Sequence, residues 1–405
     1  MVSRLIKLVL VENEMKKNVV IFTGAGLTCG PDFSGVSTLE LTKKFISYNH
    51  PDLTDEKEFI KFLYNEFCFW NKLDPDNIEQ NLDRINFETI IHLLEELFVY
   101  IEDIDRSNHK IKYQNSVKTT IFSINRRLIT HISRIRLPKW PDSTYLFIEK
   151  THNHLVDVII NQLKSFDIND TNKGMITFNT FLNKSFDKLE SKRIYTLNYD
   201  TWLNRFAGIF DGFSNDLFDS NKVLFDREID CHYNLHGCIL WQLFAKSKKL
   251  DNPEQWKNSQ SFTGYTIARE AILPSPIITG YNKLTRINIS PFLELFHSFT
   301  MDCSIAYKLL VIGYSFSDPH VNNIFRLIPA STKIVIVVFY NDNCFQDPKS
   351  DFHRLIFELN EIFGSSFSNP SIRQGLNHTV DSDDNRLSIF LNGIGQSFYD
   401  EFKKI

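Results

Sequence analysis

The sequence predicts an α/β protein, a mostly parallel sheet with helices on both faces and a large helical insertion. Three observations lead there. Short β-branched apolar runs recur at 18–22, 193–197, 309–312 and 333–339 without polar alternation, as in strands covered on both faces. Each run gives way within two residues to glycine or asparagine, the turn chemistry of a strand's carboxyl end. Between the first two runs, aromatic and aliphatic residues repeat at helical spacing.

Composition bounds the class. At 405 residues the chain has room for about two domains of ordinary size. With 42% hydrophobic and 23% charged residues it can bury a core and is not a disordered tail. A net charge of −4 is too mild for a nucleic-acid-coating protein or a polyanion mimic. The cysteines at 29, 68, 231, 238, 303 and 344 contain no C-x-x-C pair, which argues against a disulfide scaffold and a four-cysteine zinc ribbon. No run approaches the roughly 18 apolar residues of a membrane helix, and the apolar stretch at 8–11 lacks the features of a cleaved leader. The expectation is a cytoplasmic protein with no membrane partner.

The elements follow in order. Residues 18–22 read as a buried strand running into Thr23-Gly24-Ala25-Gly26. Phe59, Phe62, Leu63, Phe67 and Trp70 share one helical face, as do Phe87, Ile90, Ile91, Leu94, Leu97 and Phe98. Further helices are expected near 118–135 and 144–165. The stretch is far longer than an ordinary crossover, so 38–190 reads as a helical insertion packed against the sheet. The core then comprises 1–37 and 191–345. Within it, 202–300 is less regular and reads as a lid or interaction segment. Residues 233–236 form a weaker strand candidate. Residues 346–405 read as a C-terminal helical segment, with an amphipathic helix at 387–402 despite Gly393 and Gly395.

Polar residues at the strand ends carry the chemistry. Gly24, Ala25 and Gly26 either let the backbone approach a diphosphate or make a tight turn. Asn198 and Asp200 follow the second strand, where ligands lie in open α/β sheets, although Asp200 could equally cap a helix at 201–206. His236 offers a general base or a hydrogen-bonded structural histidine. Gly313, Ser315 and Asp318 end another strand; Ser315 suits a phosphate, and Asp318 before Pro319 also suits a helix start. Asn341 can reach a ribose hydroxyl or form a turn. Cys231, His232, His236 and Cys238 lie close in sequence, but alternation along a strand sends them to opposite faces, so no zinc is expected.

As an ordered set, Thr23-Gly-Ala-Gly26 with Pro31-Asp32-Phe33, Asn198-Tyr-Asp200, His236-Gly237 and Gly313-Tyr-Ser-Phe-Ser-Asp318 resembles the sirtuin superfamily. More closely, it resembles the bacterial sirtuin-like branch of antiphage defence. The resemblance implies a Rossmann-like domain that binds NAD. It implies Gly24, Ala25 and Gly26 near the diphosphate, and Asp32 and Phe33 near the nicotinamide. Asn198 and Asp200 would meet the nicotinamide ribose, with His236 as catalytic base. Ser315 and Asn341 would match phosphate and adenosine-ribose contacts, with Gly313 and Asp318 in the same loop.

Two departures from deacylating sirtuins stand out. No four-cysteine zinc module is present, and Ser34-Gly35 follow Asp-Phe where those enzymes carry arginine. Both favour NAD hydrolysis to nicotinamide and ADP-ribose, as in abortive infection, with NAD as substrate. A zinc-free protein deacylase and a non-enzymatic NAD- or ADP-ribose-binding scaffold are the alternatives. The resemblance further implies gating by a homo-oligomer or a HerA-type ATPase partner, with nucleic acid reached only through such a complex.

Overall fold

The computed structural model describes residues 17–28, 36–47, 54–95, 142–165, 173–186, 190–205, 208–244, 255–258, 277–279, 283–339, 351–368 and 379–394, with 398 and 402. Its strands are β1 (Lys17–Thr23), β2 (Glu190–Thr196), β3 (Phe213–Ser214), β4 (Leu217–Phe218), β5 (Cys231–Asn234), β6 (Trp241–Phe244), β7 (Gln255–Asn258), β8 (Lys308–Ile312), β9 (Lys333–Val337), β10 (Thr379–Asp381) and β11 (Leu387–Phe390). The main sheet has the order β10-β11-β9-β8-β1-β2-β5. Every neighbouring pair in it is parallel except the β10–β11 hairpin. The expected α/β, Rossmann-like architecture is therefore present. From β1 the chain passes to β2 and β5 on one side, then to β8 and β9 on the other. The sheet thus reverses direction of growth at β1, the place where open α/β sheets form a crevice.

The unbroken apolar run of β1 has a simple cause. Val19, Val20, Ile21 and Phe22 are all fully buried. Val20 and Phe22 enter one core, while Val19 and Ile21 enter the core on the opposite face.

The insertion carries a core of its own. It contains α1 (Thr38–Ile46), α2 (Thr54–Trp70), α3 (87–95) and α4 (Asp142–Ser165). Leu41, Phe59, Ile90, Leu94 and Ile159 pack there and meet the rest of the chain at Tyr199, Ile239 and Ile277. Ser37 and Glu40 start α1 with a reciprocal capping box. The buried Arg286–Glu95 pair, 2.6 Å apart, ties α3 to the segment around Ile277, whose carbonyl Arg286 also reaches at 3.2 Å.

Helix α5 (Lys173–Lys184) covers one face of the main sheet. Phe178, Phe181 and Leu182 pack on the main sheet with Phe398 and Phe402, not in the insertion's core. The opposite face is covered by α6 (Phe292–Ser304), α7 (Pro319–Phe325) and α8 (Asp351–Phe363).

The described residues of 202–300 include regular elements. β3, β4, β7 and β6 form a small antiparallel sheet, and α6 is part of the main core. The helix expected at 387–402 is corrected: Leu387–Phe390 is strand β11, parallel to β9. Leu387, Ile389 and Leu391 face one core while Phe390 faces the other, which is a period of two. Gly393 then turns the chain at φ 70°. The segment 118–135, Leu97 and Phe98 lie outside the described residues. No helix among the described residues is long and apolar enough to cross a membrane.

Candidate functional site

The carboxyl ends of β1, β2, β5, β8 and β9 open into one cleft of about 630 Å³, within the size range of nucleotide-sized ligand sites. Gly24, Ala25, Gly26, Asn198, Asp200, His236, Gly313, Ser315 and Asp318 all line it. Residues up to about 290 positions apart in the chain thus share one wall-to-wall space at the sheet's point of reversal. Asp32, Phe33 and Asn341 lie outside the described residues.

The glycine turn is pinned to the loop after β8. The Gly24 N–H donates to the Ile312 carbonyl and the Gly26 N–H to the Gly313 carbonyl, each at 2.9 Å. A Cβ on Gly24 or Gly26 would come within 2.6 or 2.8 Å of the Gly313 oxygen. Here glycine permits two loops to touch backbone to backbone. Gly313 adopts φ +61°, and a Cβ there would stand 2.2 Å from the Leu27 nitrogen. Gly313→Ala combines a left-handed alanine with that clash, so a loss of more than about 2 kcal/mol is expected in denaturant unfolding.

The loop after β8 is held firmly. Tyr314 is buried, and its hydroxyl accepts the Asp318 N–H at 3.2 Å and meets Asn322 Oδ1 at 3.0 Å. Asn322 Nδ2 in turn donates to the Phe316 carbonyl at 2.7 Å. Phe316 is kept at φ 57°, an uncommon state for a bulky residue, by burying its ring against Tyr314 and Phe325. Ser315 and Ser317 face the cleft with their hydroxyls 2.8 Å apart. This hydroxyl pair on a rigid turn can receive the oxygens of a phosphate.

Asn198 is positioned through its backbone. Its N–H donates to Thr196 Oγ1 at 3.0 Å and its carbonyl accepts from Asn234 Nδ2 at 3.1 Å. Asp200 is buried and receives the Trp202 N–H at a long 3.4 Å, ahead of a short 3₁₀ turn at Leu203–Arg205 where a helix over 201–206 was expected. Burial pushes the Asp200 carboxyl up to about 7. It therefore exchanges its proton near neutrality.

The sign of the stability effect follows. Between the ordinary value of 3.8 and about 7, the unfolded chain ionises while folded Asp200 keeps its proton. Stability falls as pH rises through that window. Asp200→Asn is expected to stabilise the protein by about 1–3 kcal/mol at pH 8 and hardly at all at pH 4, measured by denaturant unfolding at both values.

His236 follows β5 and is 3% exposed. Its carbonyl is fixed by the Ile278 N–H at 2.7 Å, while Nε2 has no hydrogen-bond partner among the described residues. Burial, reinforced by the charge of Lys283, holds its proton affinity well below that of an ordinary histidine. The imidazole is thus held neutral with its lone pair open, as a weaker base than an ordinary histidine. Asp318 lies 3.6 Å from Nε2. Asp318 also starts α7, with Oδ1 accepting the His320 N–H at 3.0 Å. The helix-start reading of Asp318 and its place in the cleft are therefore both found.

Three further residues belong to the site. Lys283 Nζ lies 3.2 Å from Asp318 Oδ2 and 3.3 Å from Glu88 Oε2. The Tyr199 hydroxyl donates to the Ile278 carbonyl at 2.8 Å and sits 3.3 Å from Glu88 Oε1. Glu88 is delivered by the first turn of α3, whose start Asn86 caps through the Glu88 and Thr89 N–H groups. Sequence reading missed Lys283 and Glu88. Glu88 sits beside an apolar stripe and Lys283 opens the short helix Lys283–Ile287, and neither spot carries a motif. Tyr199 lies inside the Asn198–Asp200 motif, where its aromatic side chain carries no signal of its own in the sequence.

The Cys231, His232, His236 and Cys238 group does not form a ligand set. Burial raises both thiols to about 12 and lowers His232 to about 4. Among the described residues no group of three or more His, Cys, Asp or Glu side chains is arranged to hold a metal ion. No protein-family model matches the chain, and no curated protein matches it in sequence.

Proposed function

We propose that this chain is an NAD glycohydrolase that breaks the bond between ribose and nicotinamide, releasing nicotinamide and ADP-ribose. The observation that carries the reading is the convergence of Asn198, Asp200 and a neutral, buried His236 with the Ser315–Ser317 turn in one cleft at the sheet's reversal point. The motif resemblance to sirtuin-like proteins gives that convergence its chemical meaning.

The reaction suits these groups. Nicotinamide is a cationic leaving group that departs neutral, taking the electron pair of the broken C–N bond. No acid is needed for it, unlike an ordinary glycosidic oxygen. The site must hold the ribose, offset the positive charge that develops on the sugar, and deliver water. Asn198 positions ribose or water through its amide. Asp200, once ionised above about pH 7, supplies negative potential near the sugar. His236 takes the proton of the attacking water as its oxygen bonds to the sugar carbon. The insertion, which contributes Asn86, Phe87 and Glu88 to the cleft, helps exclude bulk water.

Uncontrolled NAD hydrolysis would harm the host cell. The reading therefore includes gating, by self-assembly or a HerA-type ATPase partner, and a role in antiphage defence. The test is incubation of the purified protein with NAD, with and without such a partner and DNA, followed by chromatography. Equimolar nicotinamide and ADP-ribose are expected. Nicotinamide release only with an acyl-lysine peptide would make the chain a deacylase. Binding without turnover under every condition would make it a nucleotide-binding subunit.

A further inference from the structure

We propose that Lys283 is a positioning residue for His236: by holding the Asp318 carboxylate it keeps the imidazole free to accept a proton, and through Glu88 it links that state to the helical insertion. The functional meaning of this device rests on the hydrolase reading of the same site, whereas its geometry does not.

One carboxylate oxygen faces two competing nitrogens. Asp318 Oδ2 lies 3.2 Å from Lys283 Nζ and 3.6 Å from His236 Nε2. The first distance is a charge-assisted hydrogen bond; the second is too long for one yet short enough for strong charge interaction. The other oxygen, Oδ1, is committed to the His320 N–H. While Lys283 is in place, Asp318 is satisfied and His236 has no reason to ionise. Without that ammonium, a buried carboxylate would stand with one oxygen unpaired, and the imidazole 3.6 Å away would gain by taking up a proton. A protonated His236 cannot act as base.

The other neighbours of the imidazole do not change this balance. The rings of Tyr199 and Phe296, at 6.5 and 6.3 Å, are uncharged faces. His320 contributes only positive charge when protonated, which opposes ionisation of His236. Burial works against the charge of Lys283, but Glu88 and then Asp318 more than offset it, so its ammonium is retained. Charges therefore alternate from Glu88 on α3 through Lys283 to Asp318, which faces the neutral imidazole of His236. A shift of α3 that draws Lys283 toward Glu88 would release Asp318 to the imidazole. Movement of the insertion and basicity at His236 are thereby coupled.

The test is a histidine-selective carbon NMR titration of the full-length protein without nucleotide, from about pH 5 to 8. The His236 signal is assigned by its loss in His236→Gln. In the wild type it should stay in the neutral form throughout. Lys283→Met should raise its pKa by about two to three units, bringing its midpoint to the acidic edge of the window. Lys283→Arg should behave as wild type. Adding Asp318→Asn to Lys283→Met should reverse the shift, because the competing carboxylate is gone. Lys283→Gln supplies the same comparison if the methionine variant does not fold. A folded Lys283→Met or Lys283→Gln protein whose His236 titrates like the wild type would overturn the proposal. Failure of the wild type to cleave NAD under any condition would count against the hydrolase reading alone and leave the NMR result standing. Where turnover is measurable, the acidic limb of kcat/KM should move to higher pH in the neutral variants.

Discussion

His236→Ala should lower nicotinamide release by about 10²–10⁴-fold, the range for loss of a positioned general base. The fold should survive the change. The side chain is buried, but its Nε2 makes no hydrogen bond within the described residues, so no protein donor is orphaned when it is removed. Asp318, its charged neighbour, is already held by Lys283 and the His320 N–H. The local backbone rests on bonds that alanine keeps, from Ile278 N–H to the carbonyl of residue 236 and from Gly237 N–H to that of Asn234. Asn198→Ala should give a loss of the same kind, since the backbone bonds to Thr196 and Asn234 do not involve its amide group. Nicotinamide release by chromatography, alongside a thermal melt, reads both variants. Wild-type turnover in both would remove the site assignment.

The second large effect concerns stability. Asp302→Ala should cost about 3–5 kcal/mol in denaturant unfolding. Asp302 and Arg193 are both fully buried, with Arg193 Nε 2.6 Å from Asp302 Oδ2. The Tyr195 hydroxyl donates to the same oxygen, and Arg227 reaches Oδ1 at 3.2 Å. Arg193 also donates to the carbonyls of Asp226 and Ile229, which joins β2 to the turn before β5 and to α6. Deleting the carboxylate strands a guanidinium in the core, and that uncompensated charge is the main penalty. Replacing Arg193 and Asp302 together by apolar residues of similar size should recover most of the loss. A cost below about 1 kcal/mol for Asp302→Ala would mean the cluster is far better solvated than its burial implies. None of these residues lines the cleft, so the pair separates stability from chemistry.

The legible parts of this protein share a physical cause. Strands β1, β8 and β9 were readable because burial on both faces demands a nearly unbroken apolar run, whereas β2 showed only Ile194 and Tyr195 among polar residues. Helices α2 and α3 were readable from the stripe that enters the insertion's core. The C-terminal strand was misread because β11 is four residues long, and so short an apolar stretch fits either period. The cleft-lining residues at strand ends were legible because turn chemistry is local, as at Asn198, His236 and Gly313.

What the sequence determined by itself was the buried central strands, the helical stripes of α2 and α3 and the polar residues that end those strands, since these depend on neighbours a few positions away. Tertiary structure decided which ends meet. It paired β1 with β2 and β8, pressed Gly24 and Gly26 against Gly313, and brought Glu88, Lys283, Asp318 and His236 into one charged chain. Those contacts join residues from 35 to 195 positions apart in the first and second ion pairs of that chain, Lys283–Asp318 and Glu88–Lys283. An interaction over such a separation is specified by the packing of whole elements, and leaves no periodicity or motif for a local reading to find.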